Sequence, residues 1–105
     1  MGILHYGTQT FDMDDRLLAH LQMIIGIKLR RSESFFMTWN ESSTSVDARR
    51  AIWIDNGVPI YMEYDGRLQP PMNMDWAEKL ANSANKGGGL IIMAEDIPLT
   101  SEVPE

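Results

Sequence analysis

The chain has 105 residues, no cysteine, 44% hydrophobic and 23% charged residues, and a formal net charge of −6. These are the dimensions of one globular domain that can bury roughly two-thirds of its unfolded surface, and they exclude a disordered chain. The lack of cysteine excludes disulfides, thiolate catalysis and sulfur-based zinc sites. The apolar run Met23 to Ile27 is far too short for a transmembrane helix, and Met1 to Tyr6 lacks the basic and apolar regions of a secretory signal. The expectation is a cytoplasmic protein with no membrane partner.

In chain order, residues 3 to 11 alternate weakly around Gly7, which predicts a strand pair or one bulged strand. Asp14 to Arg31 then reads as one long helix. At 100° per residue, Leu17, Leu18, Leu21, Ile24, Ile25 and Leu29 share an arc about 140° wide, enough for a buried face. The opposite side mixes Ala19, Met23, Gly26 and Ile27 with Arg16, His20, Arg30 and Arg31. Asp12, Asp14 and Asp15 supply an N-cap and first-turn anions, while Lys28, Arg30 and Arg31 sit at the negative end of the helix dipole. Glu33 to Asn40 alternates Phe35, Met37 and Trp39 against Phe36, Thr38 and Asn40, as a strand does. Glu41 to Asp47 is a polar, mobile loop.

Arg49 to Asp55 and Val58 to Asp65 flank Asn56-Gly57, the signature of a β-hairpin closed by a two-residue type I′ turn. Its register sets Ile54 against Pro59, Trp53 against Ile60, Ile52 against Tyr61 and Arg50 against Glu63. A second helix follows from about Met74 to Lys86, with Trp76, Ala77, Leu80, Ala81 and Ala84 as its apolar stripe and Asp75 and Glu78 at capping-box spacing. Gly87 to Gly89 ends it. Leu90 to Met93 is apolar enough for a central strand. The whole reads as an α+β fold, a mainly antiparallel sheet of four to six strands with two helices on one face. It occupies residues 1–94 and is followed by an acidic, disordered tail at 95–105.

Few residues carry the marks of chemistry. Asp12, Asp14 and Asp15 could hold a divalent cation, but helix capping accounts for them without a metal. An EF-hand needs glycine where Leu17 stands. His5 and His20 lie in no ligand pattern. The glycine triplet follows a helix and faces its carbonyls, the wrong polarity for a phosphate cradle. No Gly-x-Ser-x-Gly elbow is present. No cofactor, metal or catalytic group is expected.

Glu63-Tyr64-Asp65-Gly66-Arg67 resembles the nucleotidyl-transfer motif of ATP-dependent DNA ligases, in which a lysine amine leads and attacks the α-phosphate. Here the leading residue is Glu63, which cannot serve as that nucleophile. More broadly, Asp15-Arg16-Leu17-Leu18-Ala19-His20-Leu21-Gln22, Lys28 to Phe35, Thr38-Trp39 and Ala84-Asn85 to Gly88-Gly89-Leu90 are similar to a family of short actinobacterial proteins. That family has no assigned function and is often labelled ATP-dependent DNA ligase. The resemblance implies a link to DNA ligation, whereas Glu63 argues against an enzyme.

What remains is surface recognition. Ala19, Met23, Gly26 and Arg30, with Ile27, line up along one helix seam, and two of them are small enough to admit another backbone. The preferred expectation is a non-catalytic interaction module, a homo-oligomer or a binder of another protein through that seam. The alternative is a nucleic-acid-binding accessory protein. In it, Arg16, Arg30, Arg31, Arg49 and Arg50 contact phosphates, and Trp39, Trp53 or Tyr61 stacks on bases.

Overall fold

The computed structural model describes residues 2–41, 48–86 and 88–95. The expected mobile loop beyond Glu41, the first residue of the glycine triplet and the expected tail beyond Glu95 lie outside the described residues. The elements are β1 (Gly2–Tyr6), β2 (Gln9–Met13), α1 (Asp15–Arg30), β3 (Phe35–Glu41), β4 (Ala48–Ile54), β5 (Ile60–Glu63), α2 (Met74–Ala84) and β6 (Leu90–Ile91).

The fold is α+β, but the expected sheet of four to six strands is two sheets of three, ordered β2-β1-β5 and β4-β3-β6. The expected hairpin across Asn56-Gly57 does not form. β4 pairs antiparallel with β3, setting Trp53 against Phe36 and Arg50 against Trp39. β5 pairs antiparallel with β1, setting Glu63 against Ile3. Val58 N–H reaches Asp55 O at 3.4 Å, so a turn is present. Neither Asn56 nor Gly57 has the positive φ that type I′ requires at both positions. The apolar pattern explains the outcome. In the hairpin register Ile52 and Ile54 would share one face while Ile60 and Met62 lay on the other, so one pair would face water. Splitting the strands lets Ile54 enter the core and Ile52, Ile60 and Met62 pack against it.

The tight hairpin is β1–β2. Tyr6 opposes Gln9 across Gly7-Thr8, and Gly7 takes φ +61°, which glycine adopts freely. Leu4, Tyr6 and Met13 of this sheet are buried with Phe35, Met37, Ile54 and Leu90 of the other. Contacts among the described residues tie the two sheets together. Phe11 meets Trp39 edge-on at 5.2 Å, and the buried Tyr6 hydroxyl accepts Asp55 N–H at 2.8 Å. β6 is a two-residue parallel edge strand beside β3, not a central strand. Gly89 leads into it at φ +87°, and a Cβ there would sit 2.5 Å from Phe36 O.

α1 buries Leu18, Leu21, Ile24 and Ile25 as the periodicity predicts, together with Ala19 and His20 from the mixed side. Asp14 holds the N-cap position but its side chain makes no cap bond. Asp15 instead accepts Asp65 N–H at 3.1 Å and Gly66 N–H at 2.8 Å, anchoring the chain after β5 to the start of the helix. At the other end Ser32 N–H reaches Leu29 O and Glu33 N–H reaches Lys28 O, a Schellman closure with Ser32 at φ +60° where glycine is usual. α2 is capped by Asn73, whose side chain accepts Trp76 N–H, rather than by the expected Asp75–Glu78 pair.

α1 packs on β1, α2 packs on β3 and β6, and the helices pack on each other. They run side by side in the same direction. Asn73 at the start of α2 donates its N–H to His20 Nε2 at 2.9 Å, and Asn85 at its end accepts Lys28 Nζ at 2.8 Å.

Candidate interaction surface

Between the parallel helices runs an apolar groove of about 330 Å³, walled by Met23, Ile27 and Lys28 of α1 with Arg31 just past its end, and by Met74, Ala77, Glu78 and Ala81 of α2. Its positions recur at three- and four-residue spacing on both helices, so each helix contributes one stripe. Ala77 is buried, whereas Ile27 remains 41% and Met74 61% exposed. Two unbranched methionines on the walls give a surface that adapts its shape to what it meets. Lys28 and Arg31 stand at the end where both helices finish. Asp75 and Glu78 stand toward the end where α2 begins.

The seam expected on α1 is thus divided. Met23 and Ile27 line the groove. Ala19 is buried in the body of the domain. Gly26 faces open space, since a Cβ added there would meet nothing within 4 Å. Arg30 is exposed, its Nε 3.4 Å from Gly26 O. Sequence alone does not show the wall supplied by α2, because Ala77 and Ala81 fall in the same apolar stripe as the core residues Trp76, Leu80 and Ala84. Met74, at the head of the same stripe, was the available signal.

His20 was expected among surface residues, yet it is fully buried. Its Nδ1 lies 2.7 Å from Arg16 O and its ring 4.6 Å from that of Trp76. Because Nε2 accepts Asn73 N–H, Nδ1 carries the proton and donates to Arg16 O. Both nitrogens are satisfied in the neutral ring.

The candidate nucleic-acid contacts occupy separate places. Arg16 grips Glu95 through Nε and Nη2, each 2.6 Å from a carboxylate oxygen, and gives Nη1 to Pro71 O. Asn73 Nδ2 also donates to Glu95 at 2.8 Å. These donors hold the Glu95 carboxyl well below its ordinary range, at about 2, with the Arg16 hydrogen bond the largest cause. Arg30 lies about 21 Å from Arg16 along α1. Arg31 belongs to the groove. Arg49 and Arg50 point to opposite faces of β4, Arg49 sharing its face with Trp53. Trp53 and Phe36 are each 48% exposed and meet edge-on at 5.0 Å.

In the ligase-like segment, Glu63 accepts from His5 Nε2 at 3.0 Å in place of the expected Arg50 partner. The Asp65 and Gly66 amides are taken up by Asp15, whose carboxyl these bonds hold below its ordinary range, Gly66 most strongly. The Tyr64 hydroxyl donates to Gln22 Oε1 at 2.7 Å, and burial raises its pKa. The segment is a strand end and a pinned turn. Asp15 accepts a backbone amide at each of its carboxylate oxygens.

The fold and the groove define a small α+β domain with a two-helix layer whose shared outer surface is apolar. The chain belongs to the family described as Domain of unknown function (DUF7882), which matches residues 1–95. No curated protein and no solved structure matches it. The family match includes Glu95, the residue bonded to Arg16 and Asn73.

Proposed function

We propose that this chain is a small non-catalytic interaction module that receives an apolar helical surface in the α1–α2 groove. The observation that supports this reading is the groove itself, a two-helix trough with exposed Ile27 and Met74 on opposite walls. Grooves of this kind accept amphipathic helices through anchors at three- and four-residue spacing. The non-catalytic part rests on Glu63, a carboxylate paired with His5 where nucleotidyl transfer needs an amine. On this reading the ligase label of the similar actinobacterial proteins reflects a turn motif rather than an activity, and the module works in the cytoplasm.

Selection of helical peptides on the immobilised protein tests the groove. The expected winners carry apolar residues at helical spacing and bind an Ile27→Asp variant roughly tenfold or more weakly, a loss of about 1.4 kcal/mol. Winners that bind the variant equally well refute the groove. Covalent labelling of the protein by radiolabelled ATP would refute the non-catalytic reading.

A second reading is favoured by the exposed Phe36–Trp53 pair with Arg49 on the same face. It is an aromatic platform with one cation, suited to stacking bases of a single strand. Titration with oligothymidine at low salt should quench Trp53 fluorescence, and Arg49→Glu should abolish the quench. An unchanged signal refutes this reading.

A further inference from the structure

We infer that residues 96–105 of this same chain occupy the α1–α2 groove, so that a helical partner must displace them. This rests on the reading of the groove as a docking surface. Glu95 stands at the foot of the groove. Its carboxylate is bonded to Arg16 of α1 and to Asn73, the N-cap of α2. Arg16 precedes Met23 by seven residues and Ile27 by eleven, which puts all three on one stripe of α1 about 40° wide. The chain therefore continues from Glu95 at the end of the groove where α2 begins.

The ten residues that follow match the groove in length and in character. Arg16 to Arg31 spans about 22 Å along α1, and ten extended residues reach about 33 Å, enough to round the segment 71–73 and arrive at Arg31. Ile97 and Leu99 fall on one face of an extended segment, about 7 and 13 Å beyond Glu95. These heights bracket Met23, about 10 Å above Arg16. Pro98 holds Ile97 extended and bars a helix there. The segment carries Asp96, Glu102 and Glu105 and no base. Glu102 and Glu105 come about 23 and 33 Å beyond Glu95, at the cationic end of the groove. Lys28 there already serves Glu33 and Asn85, whereas the Arg31 side chain has no partner among the described residues. Tethering at Glu95 presents the segment to the groove at an effective concentration on the order of millimolar.

The chain has no cysteine, so a spin label attached through Val103→Cys sits at one place only. In the intact chain it should broaden the methyl resonances of Ile27 and Met23. Ile97→Asp with Leu99→Asp should abolish the broadening. Arg31→Glu should weaken it, and adding Glu102→Lys with Glu105→Lys to that variant should restore it. The Ile97→Asp, Leu99→Asp chain should also bind the selected helical peptides roughly tenfold more tightly, because nothing then competes for the groove. Near-ultraviolet circular dichroism confirms that each variant is folded. Absence of broadening in the intact chain overturns the inference, as does broadening that survives the paired aspartates. The peptides separate this from the groove reading. Peptides that depend on Ile27 yet bind no more tightly to the paired-aspartate chain remove the segment 96–105 alone, and peptides indifferent to Ile27→Asp remove the groove.

Discussion

Replacing Glu95 by Gln removes one charge from a site that binds together three distant parts of the chain. The carboxylate receives two bonds from Arg16 and one from Asn73, and only 16% of the side chain is exposed. Its pKa falls from an ordinary 4.5 to about 2, which as a linkage sum would be worth about 3.4 kcal/mol. The Arg16 side chain is 32% exposed, so solvent screening reduces the expected worth to about 1–2 kcal/mol. The sign follows from the depressed folded-state pKa. The stabilisation is complete above the unfolded value of 4.5 and is lost as pH falls through about 2. Urea unfolding followed by tryptophan fluorescence should therefore show Glu95→Gln about 1–2 kcal/mol less stable than wild type at neutral pH. The two proteins should converge as the pH approaches the folded-state value. Equal stability at neutral pH, or a deficit that persists unchanged into acid, refutes the reasoning.

Gly89→Ala should cost more than about 2 kcal/mol in the same unfolding assay, because a Cβ meets Phe36 O at 2.5 Å in a backbone conformation that disfavours side chains. Ser32→Gly should stabilise by up to about 1 kcal/mol, since Ser32 is exposed and holds a positive φ at the helix C-terminus; a loss of stability would show that its side chain matters. His20→Leu should cost about 1–3 kcal/mol by leaving the Asn73 N–H without an acceptor, and hydrogen exchange should locate the loss at the start of α2. Asp15→Asn should speed exchange at the Asp65 and Gly66 amides before any others.

The elements that sequence made legible are those whose apolar period settles both type and facing. α1, β3 and α2 appear within a residue or two of their expected bounds, because a stripe long enough to repeat several times admits one reading. His20 is misplaced by the same period. It stands three residues after Leu17 and four before Ile24, at the edge of the buried stripe, and the arc drawn through the aliphatic residues alone leaves it on the mixed side. The Arg16–Glu95 pair was not legible. The residues are 79 positions apart, and no local pattern records a contact made by the return of the chain. The same holds for the groove, whose two walls come from helices separated by three strands.

The misread hairpin shows where local and global signals conflict. Asn56-Gly57 favours a tight reversal, and a turn does form there, yet pairing is decided by which residues must be dry. Ile52 and Ile54 occupy even positions of β4 and Ile60 and Met62 even positions of β5. A two-residue loop opposes even positions to odd ones, so these two pairs could never share a face. Parity alone forbids the hairpin, and it was visible in the sequence. The consequence is measurable. Gly57 lacks a positive φ, and a Cβ there would meet Asp55 Oδ2 at an ordinary 3.6 Å, so Gly57→Ala should change stability by no more than about 0.5 kcal/mol. Gly7→Ala, in the hairpin that does form, should cost about 1 kcal/mol or more, because φ there is +61°. If the costs came out in the opposite order, the chain reversal would lie where the dipeptide suggested, and β4 and β5 would be partners in one sheet.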